Sequence, residues 1–214
     1  MSTAQLHYTT LHDISMTLKR DMVVYPNNPP YTQSRVRSSS SLVHKVSLGT
    51  HSGTHIDAPN HALPDAPGND FFPLTDFIGP CRVIDMTDVE TVITVDDLKE
   101  IEFAKGDRIL FKTRNSAVDI DTVSEFVTDF VALSPEVAEF LAQKEIALIG
   151  VDYLSIKQKG AEDNTAHTAF LTRGIPIVEG LRLFEIRPGA YQLVLLPLKF
   201  TGLDGAPARA LLLE

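Results

Sequence analysis

The segment GTHSGTHIDAPNH, residues 49–61, holds three histidines and one aspartate and contains no lysine or arginine. His51 and His55 are four residues apart, Asp57 follows two residues later, and His61 comes four residues after that. Neutral imidazole and carboxylate groups are the usual protein ligands of zinc and manganese where thiolates are absent. We therefore predict that His51, His55 and Asp57 bind a divalent metal ion.

This segment must curl if its side chains are to share one ion. Fully extended, residues 51 and 57 could lie about 20 Å apart, which is too far for a single metal centre. Gly53 supplies a permissive backbone position and Pro59 a rigid one, so both favour a turn. The alternative is an ordinary polar turn that is held by hydrogen bonds and binds no metal.

A further histidine and a further carboxylate occur more than a hundred residues later, in NTAHTAFLTRGIPIVEGL, residues 164–181. His167 falls in the first turn of a predicted helix, and Glu179 ends the predicted strand that follows it. The helix climbs roughly 9 Å and the strand returns roughly 13 Å, so both side chains can lie at the same end of the layer. They can therefore join one site, and the alternative is a helix-terminal histidine and a surface glutamate. Five candidate ligands favour two ions that share a carboxylate, most naturally Asp57.

The composition limits the kind of protein and the kind of partner. A chain of 214 residues with 43% hydrophobic and 22% charged residues is typical of a globular protein, and we predict a single domain, residues 1–214. The net charge of -9 argues against a nucleic-acid or anionic-membrane partner, because phosphate binding relies on clustered lysine and arginine. We also predict a cytoplasmic location, since the amino terminus lacks a basic region followed by an apolar run. Cys81 is the only cysteine, so nitrogen and oxygen must hold any metal.

Strands and helices are both predicted, which indicates an α/β domain. Three helices are expected: residues 95–101, a helix that begins after Ser134 with Pro135 in its first position, and one from about Thr165 to Arg173. Six apolar runs predict strands buried on both faces. They are RVIDMT (82–87), DRILFKT (107–113), IALIGVD (146–152), IPIVEG (175–180), YQLVLLPL (191–198) and ARALLLE (208–214).

The histidine segment also resembles a known family. HSGTHIDAPNH matches the HxGTHxDxPxH signature of the metal-dependent cyclase family, which includes bacterial kynurenine formamidases and isatin hydrolases. Other segments are similar to that family in the same order, so the resemblance spans nearly the whole chain. These are LHDISMTL (11–18), FFPLTDFIGP (71–80), DFVALSPEVAEFL (129–141), GVDYLSI (150–156), AHTAFLTRGIPIVEGL (166–181) and DGAPARALLL (204–213).

The resemblance implies an α/β chain with the swivelling β/β/α fold, assembled as a homodimer or homotetramer. It implies one or two zinc or manganese ions held by five ligands, and it matches His61 to the family's catalytic histidine. The implied chemistry is hydrolysis of an amide or lactam, or a related cyclisation, of a small and often aromatic molecule. The five implied ligands are His51, His55, Asp57, His167 and Glu179.

The residues support a hydrolytic mechanism. A divalent ion can lower the pKa of bound water from about 15.7 to about 7, which supplies hydroxide at neutral pH. A metalloprotease of the zincin type would have a glutamate where Ser52 stands, so His61 is the nearest group for proton transfer to the leaving amine. His61 could instead orient another group. A cyclase or dehydratase that uses the same ion, and a non-catalytic binding protein with a structural metal, remain open alternatives.

The exact substrate remains open at this stage. Kynurenine formamidases generally carry a tryptophan-containing loop where this chain has VVYPNNPP, residues 23–30, and this chain has no tryptophan. Tyr25 is predicted to replace it as an aromatic wall, and the segment Tyr25–Tyr31 is either a lid or a connection. Ala62 stands after His61, where the family would place an aromatic residue. DGAPARA, residues 204–210, is predicted only as a turn that enters the last strand.

Overall fold

The computed structural model of the protein describes residues 8–37 and 40–214. The described chain combines a large sheet containing parallel strands with two α-helices, which confirms the predicted α/β class. The strands are β1 (Leu11–Asp13), β2 (Thr32–Arg37), β3 (Leu42–Ser47), β4 (His55–Asp57), β5 (Ile78–Met86), β6 (Val92–Ile93), β7 (Arg108–Thr113), β8 (Ala132–Leu133), β9 (Leu148–Val151), β10 (Ile177–Glu179), β11 (Gly189–Pro197) and β12 (Gly205–Leu213). The α-helices are α1 (Pro135–Gln143) and α2 (Thr165–Leu171).

Eight of the strands form one sheet that closes on itself. Their order is β1-β12-β11-β5-β7-β9-β10-β4, and β4 pairs with β12 as well as with β10. β12 is long enough for this because its last residues pair with β1 and its first residues, from Gly205, pair with β4. Strands β5, β7, β9 and β10 run parallel to one another. All six predicted strand runs lie in this sheet and are confirmed.

Strands β7, β9 and β10 are buried on both faces, which explains their continuous apolar sequence. Strands β5 and β11 instead alternate between buried and more exposed residues, so the predicted burial on both faces is wrong for these two. Ile109, Leu110 and Phe111 are consecutive residues of β7, and all three are fully buried. Helix α1 covers the sheet with a buried stripe whose spacing is helical, and it packs against α2. The stripe consists of Val137, Ala138, Leu141 and Ala142.

Helices α1 and α2 lie where the sequence predicts them, although α2 ends at Leu171 and not at Arg173. The hydroxyl of Ser134 accepts a hydrogen bond of 3.2 Å from the amide of Val137, and Pro135 occupies the first turn of α1. Helix α2 ends shortly before Gly174, which has a left-handed φ of +66°. Within residues 8–37 and 40–214, no helix is both long and apolar enough to cross a bilayer.

The helix predicted for residues 95–101 is wrong. The chain forms only a single 3-10 turn there, Val95–Leu98. The Asp97 carboxylate binds back to the amide of Thr94 at 2.7 Å, which stabilises this tight turn. Leu98 is the only buried residue of the turn, so there is no apolar face along which a longer helix could pack.

The closure of the sheet places β4 between β10 and β12. Across the antiparallel β4–β10 pair, His55 stands opposite Glu179. On the other edge of β4, Asp57 stands opposite Gly205 at the start of β12. Since α2 leads directly into β10, three distant parts of the chain meet at β4: β4 itself, the α2–β10 segment and the start of β12.

Candidate metal centre

The centre is built on the short strand β4. His55 and Asp57 are two residues apart in a strand, so their side chains leave the same face of the sheet. Glu179 lies opposite His55 on β10 and faces the same way. All three side chains are buried, with residue exposures of 1%, 0% and 4%. Pairing between β4 and β10 therefore fixes two carboxylates and one imidazole in one interior position.

The segment before β4 curls, as predicted. Gly53 adopts a φ of +63°, which favours glycine. The next residue, Thr54, holds the curl in place because its hydroxyl donates to the Gly180 carbonyl at 2.5 Å and accepts from the Met16 amide at 2.8 Å. His51 is thereby brought back to Asp57, with 2.9 Å between His51 Nδ1 and Asp57 Oδ1.

The remaining distances join the other predicted residues to the same centre. His55 Nε2 is 3.5 Å from Asp57 Oδ1 and 3.5 Å from Glu179 Oε2. His167, in the first turn of α2, places Nε2 3.7 Å from Asp57 Oδ2 and 3.5 Å from Glu179 Oε1. The structure thus brings all five residues together around Asp57. Their role as metal ligands stays a prediction.

These residues suit a divalent cation. Among the described side chains, His55 Nε2 and Asp57 Oδ2 are buried atoms with no hydrogen-bond partner, and such atoms are costly unless something satisfies them. His55 Nδ1 lies 2.8 Å from the Gly53 carbonyl and must donate to it, so in the neutral form of this ring the lone pair is on Nε2, facing the carboxylates. Three imidazoles and two carboxylates match the ligand preference of zinc or manganese.

The electrostatics of the centre keep its carboxyl groups ionised. Burial opposes charge on Asp57, but the neighbouring imidazoles of His61, His51 and His55 hold the pKa of Asp57 well below its usual value. Burial and the charge of Asp57 act likewise against Glu179, yet the imidazoles of His167 and His55, each 3.5 Å away, lower the pKa of Glu179 to about 2. Burial works against a charged His55, but the carboxylates of Asp57 and Glu179 raise the pKa of His55 to about 10. The two buried carboxylates therefore attract positive charge, either a proton on His55 or a bound cation.

His61 lies at the mouth of this centre. It ends a 3-10 turn, Pro59–His61, and its ring centroid is 4.1 Å from that of His51 and 5.5 Å from that of His167. Its ring keeps an exposed edge, yet the protein packed around it removes enough water to lower the pKa of His61, despite the opposing charge of Asp57. At neutral pH the ring is therefore uncharged and able to accept a proton.

A cavity of about 220 Å³ opens onto the centre. Tyr25 forms part of its wall, as predicted, and packs edge-to-face on Phe126 with 5.0 Å between ring centroids. The wall is otherwise mixed, with one cationic side chain and several polar ones. It consists of Tyr25, Asn28, His51, His61, Leu154, Ser155, Lys157, Asn164, His167 and Glu179.

Asp204 is a site residue that the sequence reasoning missed. It precedes β12, and its Oδ2 lies 3.3 Å from His51 Nε2 while its Oδ1 accepts a hydrogen bond of 2.8 Å from the Thr50 hydroxyl. Asp204 is 153 residues from His51, and only the pairing of β12 with β4 brings the two together. The one available signal was that DGAPARALLL resembles a family segment, which gave Asp204 no role.

The fold and the site together define a class of protein. It is an α/β protein with a closed sheet, whose buried cluster of histidine and carboxylate groups suits a divalent metal ion. A profile of the Cyclase family, described as "Putative cyclase", matches residues 12–158. The chain is 35% identical to a kynurenine formamidase of Salinibacter ruber over 207 residues, which are 94% of this chain and 96% of the relative. It is 33% identical to a kynurenine formamidase of Bordetella petrii over 208 residues, which are 95% and 98% of the two chains. The chain belongs to the Cyclase family.

Solved structures have the same fold. A predicted metal-dependent hydrolase from Bacillus stearothermophilus superposes with a TM-score of 0.84 at 34% identity, covering 95% of this chain and 97% of that one. Isatin hydrolase A from Labrenzia aggregata superposes with a TM-score of 0.79 at 22% identity, covering 95% and 93% of the two chains. These likenesses confirm the predicted family fold.

Proposed function

We propose that the protein is a metal-dependent hydrolase that cleaves the amide bond of a small aromatic molecule, of the N-formyl arylamine or lactam type. The observation that carries this proposal is the convergence of five donor side chains on Asp57, beside an accessible histidine and an open cavity. Kynurenine formamidases at 33–35% identity over nearly the full chain support the C–N hydrolase class. The whole chain, residues 1–214, is proposed to act as one domain.

We propose zinc or manganese as the ion. The two oxygens of Asp57 face different histidines: Oδ1 faces His51 and His55, and Oδ2 faces His167. The five residues would hold one or two ions, and two ions would share the Asp57 carboxylate. A bound ion would supply Lewis-acid chemistry, which makes water nucleophilic at neutral pH and polarises a carbonyl.

His61 is proposed to move the proton. An amide hydrolyses only if its nitrogen is protonated as it leaves, because an amine anion is a very poor leaving group. His61 is uncharged at neutral pH, so it can take a proton from the attacking water and then donate it to the departing nitrogen. Its place at the cavity mouth, with an exposed edge, lets it reach a bound substrate.

Tyr25 is proposed to support the aromatic ring of the substrate. Its packing against Phe126 fixes the Tyr25 ring at the cavity wall, where a second ring can stack or meet it edge-on. The small cavity selects a compact substrate over a peptide. An N-formyl arylamine has this size and shape, and its formyl carbonyl would be directed at the ion that the centre holds.

The experiment is to purify the protein without chelator, measure metal by elemental analysis, and assay it with zinc or manganese. The substrate panel is N-formylkynurenine, isatin, simple aryl formamides and matched aryl esters. Hydrolysis of a formamide or of isatin with one or two equivalents of metal is the expected result. Stoichiometric metal with no turnover of any substrate would favour a ring-closing or binding role, and absence of metal after reconstitution would overturn the proposal.

We also infer that the protein self-associates through the hairpin β2–β3. Every described residue of these two strands is exposed, and a two-stranded hairpin is marginally stable by itself. Four of its exposed side chains are apolar: Val36, Leu42, Val43 and Val46. Residues 32–47 carry Arg35, Arg37 and Lys45 and no acidic residue, so the rest of the chain carries a net charge of -12. This complementarity favours a second copy of the same chain as the partner.

The assembly is tested by light scattering coupled to gel filtration. Wild type is expected to run as a dimer or tetramer, and Val43→Glu, which places a charge directly opposite Val36 on one face of the hairpin, is expected to give a monomer. Val118→Glu is the matched control, since Val118 is similarly exposed but lies outside the hairpin. A monomeric wild type, or a Val43→Glu variant that assembles normally, would overturn this inference.

A further inference from the structure

His51 lies between two carboxylates. Its Nδ1 is 2.9 Å from Asp57 Oδ1, inside the donor cluster, and its Nε2 is 3.3 Å from Asp204 Oδ2, on the side away from that cluster. A neutral imidazole has one protonated nitrogen and one lone pair, so the partner of one nitrogen decides what the other can bind. Asp57 and Asp204 therefore compete to decide which nitrogen of His51 carries the proton.

Asp204 is fixed in the position needed to accept a hydrogen bond from His51 Nε2. Its side chain is fixed by the Thr50 hydroxyl at 2.8 Å, and its backbone carbonyl accepts a hydrogen bond of 2.9 Å from the amide of Ala58. A carboxylate can only accept hydrogen bonds, so the anchored Asp204 side chain pairs with a protonated Nε2 of His51.

The His51 ring cannot readily turn away from Asp204. Gly205 follows Asp204 and packs edge-on to the ring, so that a Cβ atom at Gly205 would be 2.9 Å from His51 Cε1 and 2.7 Å from the Ile56 carbonyl oxygen. The start of β12 thus forms a close wall against His51.

We propose that Asp204 is a positioning residue that keeps the proton of His51 on Nε2, so that the Nδ1 lone pair faces the metal centre. The inference rests on the proposed function, since it assumes that the centre binds a divalent ion. A histidine that ligates a metal commonly donates its other N–H to a carboxylate or a backbone carbonyl. His55 follows the same rule with the opposite nitrogen, because its Nδ1 donates to the Gly53 carbonyl and leaves Nε2 for the metal. Opposite tautomers allow two histidines of one tight curl to approach the same centre.

The test is zinc affinity, measured at pH 7 by competition with a chromophoric chelator and without any substrate. Asp204→Asn removes the charge but keeps the size of the side chain. Asp70→Asn is the matched control, because Asp70 accepts a hydrogen bond of 2.9 Å from the Gly202 amide and so holds the same loop without contacting His51. We expect Asp204→Asn to bind zinc about 10–100-fold more weakly at unchanged stoichiometry. Asp70→Asn should match wild type.

A second readout separates positioning from a general structural effect. In ¹⁵N NMR of the zinc-loaded protein, His51 of wild type should show a protonated Nε2, and Asp204→Asn should lose this fixed tautomer while the His55 signals stay unchanged. If Asp204→Asn fails to fold, Thr50→Val, which releases the Asp204 carboxylate, should lower zinc affinity in the same direction by a smaller factor.

Three results would overturn the inference. Equal zinc affinity of Asp204→Asn and wild type would remove Asp204 from any role at the centre. Loss of a whole equivalent of zinc would make Asp204 a direct ligand, with His51 and His61 as the neighbouring donors. A wild type that binds no zinc or manganese would overturn the metal-dependent function itself, and this inference with it.

Discussion

Gly180 lies directly against Gly53, so close that a Cβ atom on Gly180 would be 2.4 Å from the Gly53 carbonyl oxygen. Both residues have left-handed backbone conformations, with φ values of +69° and +63°. Gly180 follows Glu179, and Gly53 precedes Thr54 and His55, so this contact joins the two halves of the donor cluster. Close approach of two glycines, and not a side-chain contact, sets how near the two segments come.

Substitution of Gly180 by alanine is expected to destabilise the protein and weaken metal binding. The left-handed conformation costs an alanine about 1 kcal/mol, and the clash with Gly53 adds about 1–3 kcal/mol because neither backbone can move without displacing its strand. Gly160→Ala is a matched control, since Gly160 has a φ of +84° but nothing within 4 Å of its Cβ position. Urea unfolding should show the larger loss for Gly180→Ala. Equal losses of unfolding free energy in the two variants would mean that the contact with Gly53 does not contribute to stability.

Metal removal is expected to abolish activity but leave the protein folded. The donors lie on β4, β10 and α2, which are all supported by the same buried core, so the fold does not depend on the ion. Without the ion, the buried charges of Asp57 and Glu179 repel each other, and the melting temperature should fall. Added zinc or manganese at one hundred times its Kd should restore about 2.7 kcal/mol of the free energy of unfolding. Calorimetry of the chelated and reconstituted protein measures this, and an identical melting temperature would contradict it.

Local patterns in the sequence predicted much of the fold and the centre. The i, i+2 placement of His55 and Asp57, the cap at Ser134 and the apolar runs each depend on neighbours in the chain, and the structure has them as expected. The hairpin β2–β3 was not predicted because all its described residues are exposed, so no alternating buried face marks it. Asp204 was missed for a different reason. Its contact with His51 depends on strand pairing across 153 residues, which periodicity does not encode.

The ion pair between Arg182 and Asp119 predicts an acid-dependent loss of stability. Arg182 Nε donates to Asp119 Oδ1 at 2.7 Å, and a second bond joins Nη2 to Oδ2. These bonds lower the pKa of Asp119 below its usual 3.8, against a smaller opposing effect of burial. Because the folded-state pKa is the lower one, the stabilisation is present above about pH 4 and disappears as the pH falls through the folded value.

Arg182→Gln tests this directly. At pH 7 the free energy of unfolding of the variant should be lower than that of wild type by up to about 1 kcal/mol. The effect is this small because the pair is partly exposed to solvent. The difference from wild type should shrink as the pH falls through the folded-state pKa of Asp119, and it should vanish once that carboxyl is protonated. Lys105→Gln breaks a much more exposed pair with Glu145 and should change little at either pH. A difference for Arg182→Gln that persists unchanged in acid would exclude the ion pair as its cause.

His61→Ala is expected to separate catalysis from metal binding. His61 lies beside the donor cluster with an exposed edge, and its proposed task is proton transfer, so its loss should leave the metal content unchanged and lower turnover by at least about 100-fold. The control is His12→Ala, because His12 lies on β1 and pairs with Glu214 at the edge of the sheet. Elemental analysis and steady-state kinetics on an aryl formamide decide between the roles. Loss of metal together with activity would place His61 among the ligands, whereas unchanged turnover would remove it from the mechanism.

An aryl ester matched to the formamide tests which step His61 assists, because the phenolate of the ester leaves readily without a proton. The variant should therefore lose much less activity on the ester than on the formamide, and equal losses would mean that His61 acts in the attack on the carbonyl and not in the departure of the amine.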